Sequence, residues 1–287
     1  METNKEKKLY FIVSKKGGVG KSAFAYNLGL YFAQKDYFPR VVFFDADTER
    51  NNPSSMRQLS GIFPADQLAP LTFSDRNGIF AREKIENFIE LFGKSEKRDV
   101  AVVDLGSKTS DNLAAYLSDP ECTEAMKVIL EFYCIKVTFF CLFAGNMIDD
   151  TVPDIEDFFS KADILSGNKI IVNNKFFSRD SEQEKIAIAL LEKQYNAGAI
   201  NFQFISETAS KETIGQLSTL INNGVNIQTK GLIPLLKPDT NATEQERLRI
   251  DTANEVIKNF WNPSLAIKLK VRNNFEIFSH QLNKFIL

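Results

Sequence analysis

At 287 residues the chain is long enough to bury a substantial core, as one large domain or two small ones. Its 35 basic and 37 acidic residues nearly cancel, which excludes a global field for nucleic acid or membrane and leaves only local patches for such contacts. The three cysteines, Cys122, Cys134 and Cys141, show no C-x-x-C spacing and imply no disulfide framework.

In chain order, the charged opening "METNKEKK" lacks the apolar stretch of a secretory signal. No run approaches the roughly 18 apolar residues of a membrane span, so a cytoplasmic location is expected. The first apolar run, "LYFIVS" (9–14), feeds the glycine-rich stretch "KKGGVGKS", after which the spacing becomes helical. Further runs are "RVVFFDAD" (40–47), "DVAVVDLG" (99–106), "KVTFFCLFAG" (136–145), "KIIVNN" (169–174) and "AINFQFIS" (199–206). Their length and β-branched or aromatic content predict strands, and their near-continuous hydrophobicity predicts a sheet covered on both faces. Between them, "IFAREKIENFIELF" places Ile79, Phe80, Ile85, Phe88, Ile89 and Phe92 on one helical stripe. "DSEQEKIAIALLEKQY" opens with a cap at Asp180 or Ser181. Residues 48–78 and 222–243 are expected as surface loops with short extra strands. The alternation predicts an α/β fold of three layers, a mostly parallel twisted sheet with helices on both faces. Without linker or repeat, a single domain over residues 1–287 is expected.

The glycines of "KKGGVGKS" make sense between a strand and a helix. They let successive backbone N–H groups turn inward and form an anion nest at a positive helix end. Lys21 then reaches the β/γ-phosphates of a nucleotide and the Ser22 hydroxyl ligates Mg²⁺. Two strands, "VVFFDAD" and "DVAVVDLG", end in carboxylates that suit metal and water orientation beside such a loop.

The first position of the loop consensus G-x-x-x-x-G-K-[ST] is Lys15 here, and "KGGVGKS" (16–22) resembles the deviant Walker A motif of the ParA/MinD superfamily of ATPases. That resemblance implies a P-loop NTPase fold, ATP and Mg²⁺ as cofactors, and a nucleotide pocket formed by Lys16, Gly17, Gly18, Val19, Gly20, Lys21, Ser22 and Ala23. It implies that Lys16 crosses an ATP-sandwiched homodimer to the partner's phosphates, the logic of an arginine finger. Lys15 is the lysine left as a solvated neighbour. By the same resemblance Asp47 positions the attacking water, Asp45 lies near the metal shell and Asp104 is the Walker B acid. Catalysis then rests on Lys16, Lys21 and Asp47, and the metal on Ser22, Asp45 and Asp104. Asn173, with Asn174 as the alternative, matches a base-reading asparagine able to pair with adenine or guanine. The chain departs from the family in "DTERNN", where D-P-Q-x-N is usual, which bears on Asn51 and Asn52. "DLGS" stands where partition ATPases have D-x-P-P, a form similar to the TraL/StbB branch of conjugative plasmids.

Within this superfamily nucleotide state gates a cargo, DNA or a membrane. The leading reading is a dimerising switch ATPase of plasmid partition, stability, conjugation or cargo positioning, working with a protein partner or adaptor. A metabolic ATP-dependent enzyme and a nucleotide-holding module without turnover are the alternatives. The segment 256–287 sets Lys258, Lys268, Lys270, Arg272 and Lys284 against one acid, Glu276, a candidate for non-specific DNA contact. It also aligns Phe275, Phe278, Leu282 and Phe285 on one face, for core packing or a membrane surface. Core packing is the preferred expectation, with His280 on the polar side.

Overall fold

The computed structural model describes residues 6–33, 38–46, 54–178, 180–203 and 265–286, with the single positions Glu244, Arg247 and Asp251. Strand β1 (Lys7–Val13) leads into α1 (Lys21–Ala33), β2 (Val41–Ala46), α2 (Ser54–Leu59) and β3 (Leu68–Pro70). Then come α3 (Arg82–Lys94), β4 (Val100–Leu105), α4 (Ser107–Leu117) and α5 (Pro120–Phe132). β5 (Ile135–Phe143), α6 (Ile148–Ala162), β6 (Asn168–Asn174), α7 (Glu182–Tyr195) and β7 (Gly198–Phe202) follow, and α8 (Leu265–Ile286) closes the described chain. The strands form one sheet in the order β3-β2-β4-β1-β5-β6-β7, and every pairing is parallel. Helices cover both faces, as the continuous apolar runs predict for strands with no solvent side.

One face carries α1, α2 and α8, the other α3 to α7. Residues 24–32 of α1 are buried without a break, because this helix is enclosed by the sheet and by its neighbours on the outer side. Its Phe24 ring meets Phe140 of β5, Phe202 of β7 and Phe278 of α8 at centroid distances of 5.2, 5.5 and 5.8 Å. That aromatic cluster fixes the helix whose first turn follows the glycine-rich loop.

The C-terminal stripe is core. Phe275, Phe278, Leu282 and Ile286 are buried, while Phe285 is half-buried against Gly198, where an added Cβ would lie 2.3 Å from its ring. Phe285 packs against the same core cluster, so the described part of this stripe serves core packing. His280 is exposed. Lys258 and the side chains of Lys268, Lys270 and Arg272 lie outside the described residues, as do residues 222–243.

Local details refine these expectations. Ile79 and Phe80 precede α3: Phe80 bridges to Ser74, and Ile79 is 65% exposed in a turn, where the Asp75 carboxylate accepts from the Asn77 and Ile79 backbone N–H groups at 2.8 Å each. Those bonds end the turn before the helix starts. Of the two candidate caps of α7, Ser181 accepts from Glu184 N at 3.2 Å, whereas Asp180 pairs with Lys175. Residues 48–78, expected as surface loops with short extra strands, hold a helix, α2, in their described part, besides the short edge strand β3, whose Pro70 is tolerated at the sheet margin.

Candidate nucleotide site

The carboxyl ends of parallel strands form the crevice where open α/β sheets hold ligands. Here the ends of β1, β2, β4 and β6 bring the candidate residues together. The loop between β1 and α1 turns on Gly18 and Gly20, with φ of +77° and +97°. Both values are unfavourable for a side chain, and they allow consecutive N–H groups to face one concavity at the start of α1. No acidic residue occupies the first turn of α1, so its positive end is left for an anion.

The loop is held by short local bonds. Ser14 Oγ donates to Lys16 O at 3.1 Å and accepts from Lys16 N at 3.2 Å, and Ser14 N donates to Ser110 Oγ of α4 at 3.3 Å. Lys21 folds back over the loop, donating to Ser14 O at 3.3 Å and to Lys16 O and Ser107 Oγ at 3.2 Å. Its ammonium therefore already sits at the mouth of the concavity, beside the first residue of α4. The segment from Asp104 to Ser107 packs on the loop, with the Ser107 hydroxyl 3.9 Å from where a Gly17 Cβ would be.

Asp45 and Asp104 stand opposite one another in register at the ends of β2 and β4, and both are buried. Asp45 Oδ2 accepts from Ser55 N at 3.0 Å and Ser55 Oγ at 2.7 Å. Asp104 Oδ1 is buried with no hydrogen-bond partner. Burial first, and then the Asp45 charge, push the Asp104 carboxyl up to about 7, against the pull of Lys21 and of the Ser55 and Ser22 hydroxyls. A buried carboxylate oxygen without a partner, facing a second carboxylate and a hydroxyl, is an oxygen donor set of the kind that hard divalent cations take. Two carboxylates and Ser22 suit Mg²⁺, which retains waters and substrate oxygens and needs no all-protein cage. Asp47, Asn51 and Asn52 lie outside the described residues.

The two asparagines ending β6 point to opposite faces. Asn174 is buried and donates through Nδ2 to Val19 O at 2.8 Å, so it braces the loop from below. Asn173, also buried, donates to Asn201 Oδ1 at 3.2 Å and keeps its own Oδ1 unpartnered. The brace explains Gly20 as well: a Cβ there would lie 2.5 Å from Asn174 Nδ2. Gly20→Ala is expected to cost on the order of 3 kcal/mol, from backbone strain and the lost Val19 bond. Gly18→Ala, which meets nothing within 4 Å, should cost only the strain, about 1–2 kcal/mol. Thermal melting checks the difference; equal losses would remove the brace from the explanation.

The loop lysines differ from expectation. Lys15 is not solvated. Its Nζ lies 2.5 Å from Asp157 Oδ2 and 3.9 Å from Asp111 Oδ1, with the side chain 20% exposed. Lys16 is 44% exposed and pairs with Asp150 Oδ2 at 2.8 Å. Sequence reasoning missed these carboxylates, together with Ser55, Ser107 and Ser110. The i, i+4, i+7 spacing of Asp150, Asp154 and Asp157 was a readable sign of one acidic face on α6. Nothing local marked that face as the neighbour of the loop.

A family model described as the CobQ/CobB/MinD/ParA nucleotide binding domain matches residues 10–214. Among solved structures, the MinD cell division protein of Aquifex aeolicus is 19% identical, with 88% of this chain and 97% of that one covered and a TM-score of 0.40. A candidate plasmid partition protein of Borrelia burgdorferi B31, bound to AMPPNP, is 17% identical over 98% of this chain and 100% of that one, with a TM-score of 0.38. FtsY of Mycoplasma mycoides is 16% identical over 71% of this chain and 63% of that one, with a TM-score of 0.44. No curated protein sequence matches the chain.

Proposed function

The chain belongs to the CobQ/CobB/MinD/ParA nucleotide-binding family, and from that premise we propose that it is a Mg²⁺-dependent ATPase that dimerises on ATP and thereby switches its hold on a cargo. The observation that carries the reading is the pairing of the Gly18–Gly20 nest with the buried Asp45–Asp104 pair, whose Asp104 Oδ1 has no partner. In this reading the N–H groups from Gly17 to Ala23 cradle the phosphates and Lys21 exchanges its carbonyl partners for phosphate oxygens. Ser22, Asp45 and Asp104 would hold Mg²⁺, which neutralises phosphate charge when bound. Asp47, two residues beyond Asp45, orients the attacking water. Asn173 reads the base, and its unpartnered Oδ1 supports that choice over Asn174, whose amide is spent on Val19.

Lys16 serves the partner subunit's phosphates. Its exposed ion pair supports this role, because solvent screens such pairs and they release readily. Plasmid partition, stability or conjugative transfer is the setting we favour, with a protein adaptor or DNA as cargo. The burial of Phe275, Phe278 and Leu282 argues against a bilayer as that cargo. Calorimetry tests the core of the proposal. Mg-ATP should bind, and chelating the metal should weaken binding by about tenfold or more, since Asp45 and Asp104 then face the phosphates uncompensated. Affinity indifferent to the metal would overturn the assignment of the carboxylate pair. Absence of ATP binding would overturn the whole reading.

A further inference from the structure

Lys15 occupies the position where the P-loop consensus has glycine, and it is the more firmly held of the two loop lysines. Its ammonium reaches the α6 carboxylate of Asp157 at 2.5 Å and that of Asp111 on α4 at 3.9 Å. Asp157 is in turn held by Lys161 at 2.8 Å, one helical turn on, so the acceptor is itself fixed. A third carboxylate, Asp154, acts on the same ammonium. The backbone of Lys15 lies between Ser14 and Lys16, whose carbonyls are the acceptors of Lys21. One side chain therefore ties the entry of the loop to α6 and to α4, the helix that also supplies Ser107 and Ser110 to the loop.

We propose that Lys15 is a positioning residue for the nucleotide site, anchoring the loop entry on the Asp111–Asp157 carboxylates so that the nest is preorganised before ATP arrives. This rests on the reading of the site given above. It also assigns the neighbouring lysines opposite tasks: Lys15 stays in its own subunit and Lys16 leaves. The distinction follows from burial, since a half-buried cation serving two helices loses more on release than an exposed one serving a single carboxylate.

The anchor and a simple charge effect give opposite signs in one variant. Asp157→Asn removes a negative charge near the phosphates, so through-space electrostatics alone would tighten Mg-ATP binding. Loss of the anchor would weaken it. The expected result is that Lys15→Met and Asp157→Asn each raise the dissociation constant and KM for Mg-ATP by about tenfold, with the loss falling on KM rather than on kcat. Lys15→Arg should restore binding to within about threefold, because a guanidinium reaches the same carboxylates. Tighter binding by Asp157→Asn, wild-type affinity in Lys15→Met, or a fall in kcat at unchanged affinity would each overturn the anchor. If Lys15→Met does not fold by thermal melting, Asp157→Asn and Lys15→Arg decide the matter. Wild-type protein that binds no Mg-ATP would instead remove the underlying reading, and the anchor with it.

Discussion

Lys16→Ala is expected to bind Mg-ATP nearly as wild type does and to hydrolyse it on the order of a thousandfold more slowly, the scale of an arginine-finger loss. The reason is geometric. The Lys16 ammonium pairs with Asp150 on α6, with 44% of the side chain exposed. Its own site is instead served by Lys21, whose ammonium bridges Ser14 O, Lys16 O and Ser107 Oγ. A cation that enters the active site only when two subunits meet acts on developing phosphoryl charge in a water-excluded interface, where it counts for far more than at a surface. Mixing variants tests the direction of supply. Asp47→Ala chains should bind ATP yet hydrolyse poorly, and each variant alone should be slow. In a mixed dimer the Lys16→Ala subunit keeps its own Asp47 and receives Lys16 from its partner, so the equimolar mixture should regain hydrolysis. A mixture as slow as its parts would show that Lys16 works within its own subunit.

Lys21→Ala should weaken Mg-ATP binding by roughly a hundredfold or more. Two or three charge-assisted bonds to phosphate, each worth about 1.5–3 kcal/mol, disappear together, and no other described lysine is aimed at the concavity. The ammonium is preorganised by the loop's own carbonyls, so binding exchanges one set of acceptors for a stronger, ionised set. Calorimetry reads the loss directly, with thermal melting to confirm that the variant is folded. Unchanged affinity would sink the phosphate-cradle reading altogether.

The strand and helix order was legible because the central strands β1, β4 and β5 are buried on both faces and so read as near-continuous apolar runs. Turns were less legible. Ile79 fits a helical stripe by spacing, yet the Asp75 carboxylate captures its N–H and holds it outside α3. In α8 the spacing was readable: Phe275, Phe278 and Leu282 are buried and Phe285 packs on the same core at its margin. The misreading at Ile79 concerns a residue at the border of a stripe, where one hydrogen bond decides the outcome.

By itself the sequence determined that a glycine-rich loop joins a strand to a helix, with lysine and serine at the helix start and carboxylates ending two later strands. These features are local, since the chain must turn at glycine and the strands must end where polar groups begin. Only the tertiary structure decided which of these groups meet. Asp45 and Asp104 are 59 residues apart, and parallel register alone sets them side by side. Asn174 supports Val19 because β6 and the loop end at the same sheet edge. Lys15 and Lys16, adjacent and chemically identical, part company because one is largely buried between carboxylates of α6 and α4, while the other, more exposed, meets a single carboxylate of α6. A residue's type and spacing are written in the chain, but burial and long-range neighbours, which set the strength of a charge, arise only when the sheet and its helices close around it.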